Sequence, residues 1–151
     1  MNIEEKLNTL GIKLPEAAAP VGAYIPAVRA GNQAFTSGQI PLVAGELRYK
    51  GKLGADVSIE EGYEAAKICA INALAALKGL LGDLNKVKKV IKVTGFVNST
   101  PDFTAQAKVV NGASELLGQL FSEGHARSAV GTAALPIDAA VEVEMIVEIA
   151  D

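Results

Sequence analysis

From Ala140 to Ile149 the chain reads AVEVEMIVEI. Strict alternation of apolar and other residues is the pattern of a strand, whose successive side chains point to opposite faces. Val141, Val143, Met145, Val147 and Ile149 fall on one face, expected to be the core face, and Glu142, Glu144, Ile146 and Glu148 on the other. Upstream, His125 to Thr132 reads HARSAVGT, an arginine opening a second strand, and Leu135 and Pro136 turn the chain between the two. The expected arrangement is an antiparallel hairpin across Pro136 to Ala139. Directly opposed residues share a face, so Ser128, Val130 and Thr132 would turn inward with the valines. Arg127, Ala129, Gly131 and Ala133 would then lie beside Glu142 and Glu144. That register sets Arg127 near Ile146 and Glu142 near Gly131, roughly 14 Å apart along the strands. Within one copy, the arginine and the glutamate are too distant to share a small ligand.

Capping signals and periodicity give the rest of the layout. Asn2 with Glu5 forms a capping box for a short helix carrying Ile3, Leu7 and Leu10, ended by Gly11 and Pro15. Tyr24 to Arg29 and Gln33 to Ser37 read as two strands around a turn at Ala30, Gly31 and Asn32. Gly45 to Gly54 reads as a short edge strand and loop. Ser58 and Glu61 cap a second helix, with Ala65, Ile68, Cys69, Ile71, Ala73, Leu77 and Leu80 running to Gly82. Val87 to Val97 is rich in β-branched residues and reads as a strand. Thr100, with Pro101 at the first helical position, is expected to cap a helix carrying Phe103, Val110, Leu117, Leu120 and Phe121 as far as Gly124. Two long helices over one face of a mixed sheet make an α+β two-layer domain.

A chain of 151 residues, 50% of them hydrophobic, is one domain's worth of core. We read residues 1–151 as a single domain whose residues 1–19 form an N-terminal helical extension packed on it. The net charge of −3 gives no reason to expect polyanion binding. Lys86, Lys88, Lys89 and Lys92 cluster at a strand and read as a solvated strand end. No segment approaches the ~20 apolar residues of a membrane span, so no membrane association and a cytoplasmic location are expected. One cysteine, Cys69, rules out an internal disulfide; lying among alanines and leucines, it reads as a small core residue. A single His and a single Cys disfavour a metal site.

Three motifs carry a family resemblance. HARSAVG followed by LP and VEVE, PVGAYIPAV at Pro20 to Val28, and FTSGQIP at Phe35 to Pro41 together resemble, in order, the RidA (YjgF-like) family. The resemblance spans Pro20 to Ile149. It implies a chorismate-mutase-like fold assembled as a homotrimer around a central barrel, with ligand clefts between subunits and no cofactor. A site in such a cleft agrees with the separation of Arg127 from Glu142. Self-association also answers a problem of the two-layer fold, because the face opposite the helices would leave Ile146, Ala129 and Ala133 in water.

The same resemblance assigns roles. Arg127 matches the arginine that holds the carboxylate of a small 2-imino or 2-keto acid, a task suited to a planar fork of donors. Glu142 matches the glutamate that positions the attacking water, and a carboxylate crowded by other acids acquires the raised pKa such work uses. Tyr24 matches the site tyrosine, Ser37 a site serine that alternatively serves a strand-end turn, and Gly38 a close approach of backbone. Ala129 stands where many members have a cysteine, and Pro101 near where they have an asparagine, with Asn98, Ser99 and Thr100 the nearest polar substitutes. The chain therefore reads as a variant of the family. His125 is a further candidate, as a proton donor to the cleft or as a surface residue. The leading expectation is hydrolytic deamination of reactive 2-imino or enamine acids. The alternatives are a non-catalytic trimeric binder of small 2-keto carboxylates and, third, RNA cleavage, for which interleaved aromatics are lacking.

Overall fold

The computed structural model describes residues 1–17 and 22–150. Pro20 and Val21 of the PVGAYIPAV motif, and residues 18–19 of the extension, lie outside the described residues. The elements are α1 (Ile3–Thr9), β1 (Ala27–Ala30), β2 (Gln33–Thr36), β3 (Leu42–Val43), β4 (Glu46–Leu47), α2 (Ile59–Leu81), β5 (Val87–Asn98), α3 (Gln106–Leu120), β6 (Ala126–Thr132) and β7 (Val141–Ile149). The mixed α+β architecture, with its short leading helix, is the expected one.

Both expected capping boxes form: Asn2 with Glu5 opens α1, and Ser58 with Glu61 opens α2, which ends at Gly82 with φ 80°. Each serine or asparagine side chain satisfies a backbone N–H that the first helical turn leaves unpaired. On these helices Ile3 and Leu7 are buried while Leu10 is exposed, and Leu81 rather than Leu80 completes the buried stripe of α2.

The third expected cap, Thr100, does not form. Helix α3 begins at Gln106, preceded by Ala105 without a side-chain cap, and stops at Leu120. Thr100 is held earlier in the chain instead: its N–H donates to the Leu53 carbonyl, and its hydroxyl donates to Asp102. The Thr-Pro pair makes a turn at the end of β5, because that strand is still tied to its neighbours at Ser99.

The main sheet has the order β1-β2-β7-β5-β6. The expected hairpin between β6 and β7 is therefore wrong, since β5 lies between them, antiparallel to β7 and parallel to β6. A twelve-residue β-branched strand buried on both edges outcompetes the local pairing. Gly45 to Gly54 also departs from expectation: β3 and β4 form a separate two-stranded ribbon, turned at Ala44 and Gly45 with φ 51° and 81°.

The helix-facing side of the sheet carries the core. Val141, Val143, Met145, Val147 and Ile149 are all buried, as the alternation required, with Val93 and Val97 of β5 beside them. Cys69 is fully buried in this layer, its thiol directed at the Val141 carbonyl at 3.5 Å, and burial pushes that thiol well above its ordinary pKa. Helices α2 and α3 cross where Gly112 meets the backbone of Tyr63: a Cβ at 112 would lie 1.9 Å from the Tyr63 carbonyl oxygen.

The opposite face has no covering layer among the described residues. Val28, Phe35 and Ile146 form one row across it, and Val130, Phe96 and Glu142 another. Val28 and Val130 are 45% and 43% exposed.

Candidate functional site

Register decides which expected site residues meet. Arg127 pairs with Val93, Ala129 with Gly95 and Gly131 with Val97, so these β6 residues share the face of the buried valines. The expected assignment is thus inverted: Arg127, Ala129 and Gly131 face α3, and Ser128 and Val130 face the open side. Ala129 packs against the core and is not part of the exposed face. Ala133 lies past the end of β6.

Facing a helix, the Arg127 guanidinium is anchored by it. Nη1 donates to Asn111 Oδ1 at 2.8 Å and to Ser114 Oγ at 3.2 Å, and Nη2 donates to the Ala107 carbonyl at 3.3 Å. Residues 107, 111 and 114 lie on one stripe of α3 at i, i+4 and i+7. Ser114 Oγ also lies 3.0 Å from His125 Nε2. His125 is partly buried, and that burial together with the positive charge of Arg127 pushes it below its ordinary pKa. Sequence patterning does not single out Asn111 and Ser114, because polar residues beside the apolar stripe of an amphipathic helix are ordinarily solvated.

Glu142 occupies the other face. It is half-buried, opposite Phe96, with its carboxylate against Gly38, where a Cβ would come within 1.9 Å of Oε2. Removal from water, and secondarily the neighbouring Glu144, raises its pKa. The direction is the expected one, but its larger cause is burial rather than crowding by other acids, and the space that Gly38 leaves is filled by this carboxylate.

Ser37 holds the backbone around Tyr24. Its hydroxyl donates to the Ile25 carbonyl at 2.6 Å and its N–H donates to Pro26 at 2.7 Å. Tyr24 itself precedes β1 and is 54% exposed, so the first strand is shorter than expected and the phenol stands at the surface.

The polar residues nearest Pro101 are committed elsewhere. Asn98 is fully buried; its two Nδ2 N–H groups are shared among the Gly51 and Ala139 carbonyls and Asp138 Oδ1, and its Oδ1 accepts from Lys52 Nζ at 2.7 Å. Lys52 also donates to the Ala133 carbonyl. Ser99 bonds back to the Val97 carbonyl at 3.2 Å. This knot ties the 48–57 loop to the ends of β5 and β6, and its side chains are occupied by one another and by backbone carbonyls.

At the other end of β5, the lysine cluster is partly neutralised. Lys88 and Lys89 pair with Glu148, and Lys89 with Glu123, at 3.7 to 3.8 Å. Among the described residues, no helix is long and apolar enough to cross a membrane.

Comparison with known proteins follows the same lines. A family described as "YjgF/chorismate_mutase-like, putative endoribonuclease" matches residues 4–149. "Protein TCP17" of Trypanosoma cruzi is 47% identical over 97% of this chain and 94% of its own length. The crystal structure of a "putative endoribonuclease" from Shewanella oneidensis superposes with a TM-score of 0.94 at 35% identity, covering 99% of this chain and all of that one. "Putative reactive intermediate deaminase TdcF" of Escherichia coli is 32% identical over 89% of this chain and 93% of its own length. The TdcF structure, solved with bound serine, has a TM-score of 0.62 at 26% identity and covers 88% of this chain and 93% of that one. The matched fold, the ordered motifs and these relatives establish that the chain belongs to the YjgF/RidA family.

Proposed function

We propose that this protein is a homotrimeric hydrolase that deaminates small reactive 2-imino or enamine acids in the cytoplasm, using no cofactor, with each ligand bound where two copies meet. The observation that carries the reading is the placement of Arg127 and Glu142 on opposite faces of one sheet, two strands apart. One copy cannot bring both to a single small molecule. A neighbouring copy can, and the uncovered apolar rows of Val28, Phe35, Phe96, Val130 and Ile146 supply the surface on which copies associate. The serine bound to TdcF is a small carboxylate of the expected class, held by a relative.

In this reading Arg127 binds the ligand carboxylate, and Tyr24, Ser37 and Gly38 of the neighbouring copy line the opposite wall with Glu142. Water attacks the electrophilic imine carbon while the Glu142 carboxylate accepts its proton. The resulting carbinolamine collapses: the C–N bond breaks, the nitrogen leaves as ammonia carrying a proton, and a 2-keto acid remains. A protonated imine is already electrophilic, so orientation and charge placement suffice.

Generating an imino acid in situ with an amino-acid oxidase and following its decay tests the activity. The expected result is an acceleration over buffer that falls ~100-fold or more in Arg127→Ala and in Glu142→Gln. Decay at the buffer rate with wild type, or full activity in Arg127→Ala, refutes it. A monomeric mass in solution refutes the shared cleft.

Ala129, Pro101 and the commitment of Asn98 favour a second reading, a trimer that binds 2-keto carboxylates without turnover. Calorimetric binding that depends on Arg127, with no effect on imine decay, would select it. RNA cleavage stays third, since Lys88 and Lys89 are occupied by glutamates.

A further inference from the structure

A guanidinium offers five N–H donors and no acceptor. In Arg127, both N–H groups of Nη1 are taken by Asn111 and Ser114, and one of Nη2 by the Ala107 carbonyl. Two donors remain, the Nε–H and one N–H of Nη2, enough for one two-point contact with a carboxylate. The three acceptors all come from α3 and all bind the far end of the group, so they resist its rotation about the last bonds of a long side chain. We propose that Asn111 and Ser114 are positioning residues that set the Arg127 guanidinium to receive a single carboxylate through the two N–H groups they leave free. The inference rests on the reading of Arg127 as the carboxylate anchor and adds how the anchor is aimed.

His125 takes part through Ser114. An oxygen that accepts from Arg127 keeps its own O–H, which an unprotonated Nε2 can receive. The hydroxyl is then fixed at both ends, and the chain from Asn111 through Arg127 to His125 is a row of directed donors rather than a loose cation on a surface. A lysine in place of Arg127 would lack the planar fork that this row orients.

Calorimetry with pyruvate and its neutral analogue pyruvamide, on the full-length protein, tests the proposal. Wild type should prefer pyruvate over pyruvamide. Asn111→Ala and Ser114→Ala should each weaken pyruvate binding about tenfold, an effect on the scale of losing one charge-assisted hydrogen bond, while leaving pyruvamide binding and the melting temperature little changed. Ser114→Thr, which keeps the hydroxyl, should restore binding. In an Arg127→Ala background neither substitution should weaken pyruvate binding further. If Arg127→Ala loses pyruvate but both helix variants bind it as wild type does, the positioning role is wrong and the anchor stands. If both ligands weaken equally in the helix variants, the effect is structural and the proposal fails. If Arg127→Ala binds pyruvate as wild type does, or wild type binds none, the anchor reading itself falls and the positioning role with it.

Discussion

Glu142 stands over Gly38 so closely that a methyl group at 38 would overlap its carboxylate, 1.9 Å from Oε2 and 2.8 Å from Cδ. The two residues come from different strand ends, joined by the backbone pair of Gln39 with Val143 at 2.9 Å. Glycine at 38 is required for space and not for an unusual backbone angle, since its φ lies outside the left-handed region. Gly38→Ala is therefore expected to fold and to push the Glu142 side chain aside. Imine turnover should drop by an order of magnitude or more, with a melting temperature lowered by only a few degrees.

Within α3 two glycines predict opposite signs. Gly112 lies against the Tyr63 carbonyl, a backbone atom that cannot step aside, so Gly112→Ala must force the helices apart at a cost of about 1–3 kcal/mol. Gly118 is exposed and a Cβ there meets nothing within 4 Å, so Gly118→Ala should stabilise by about 0.5–1 kcal/mol through helix propensity. Thermal unfolding of the pair checks both, and the reverse order would show that the crossing is not the constraint.

Asn98 satisfies the Gly51 and Ala139 carbonyls from a fully buried position and accepts from Lys52. Asn98→Ala leaves these groups without their partner in a place water cannot readily reach. A loss of about 2–4 kcal/mol is expected, measured by urea titration, whereas Thr100→Ala, at the surface of the same turn, should cost well under half as much.

Glu142 and His125 give stability opposite pH slopes. Glu142 has its folded pKa raised above the ordinary 4.5, so the folded state holds more protons and stability falls as pH rises from that value through the folded pKa. His125 has its folded pKa lowered below 6.5, so the unfolded state takes up protons first and stability is lost as pH falls through 6.5. Glu142→Gln should remove the first slope and raise stability at neutral pH relative to wild type. His125→Gln should flatten the second. Denaturant titrations between pH 4 and 8 on the single variants separate them, and a Glu142→Gln protein less stable than wild type at pH 7 would contradict the first assignment.

Much of this protein is written in its local patterns. The alternation from Val141 to Ile149 dictated a strand and which of its residues are buried, because side-chain period and burial are coupled residue by residue along a pleated chain. Asn2, Ser58 and Gly82 marked helix ends through hydrogen bonds or backbone angles confined to a few neighbours. The order of the motifs carried the family. What lay outside local pattern was pairing. Nothing within Ala126 to Thr132 states that its partner is β5 rather than β7, since that outcome depends on the burial gained by a strand thirty residues upstream, and a wrong partner reverses every side chain. Tertiary structure alone turned Arg127 toward α3 and set it among Asn111, Ser114 and His125. It put Arg127 and Glu142 on opposite faces of the sheet, because the registers of β6 and β7 on β5 turn the one toward α3 and the other away from it, and two residues can share a site only when the packing of whole elements brings their faces together.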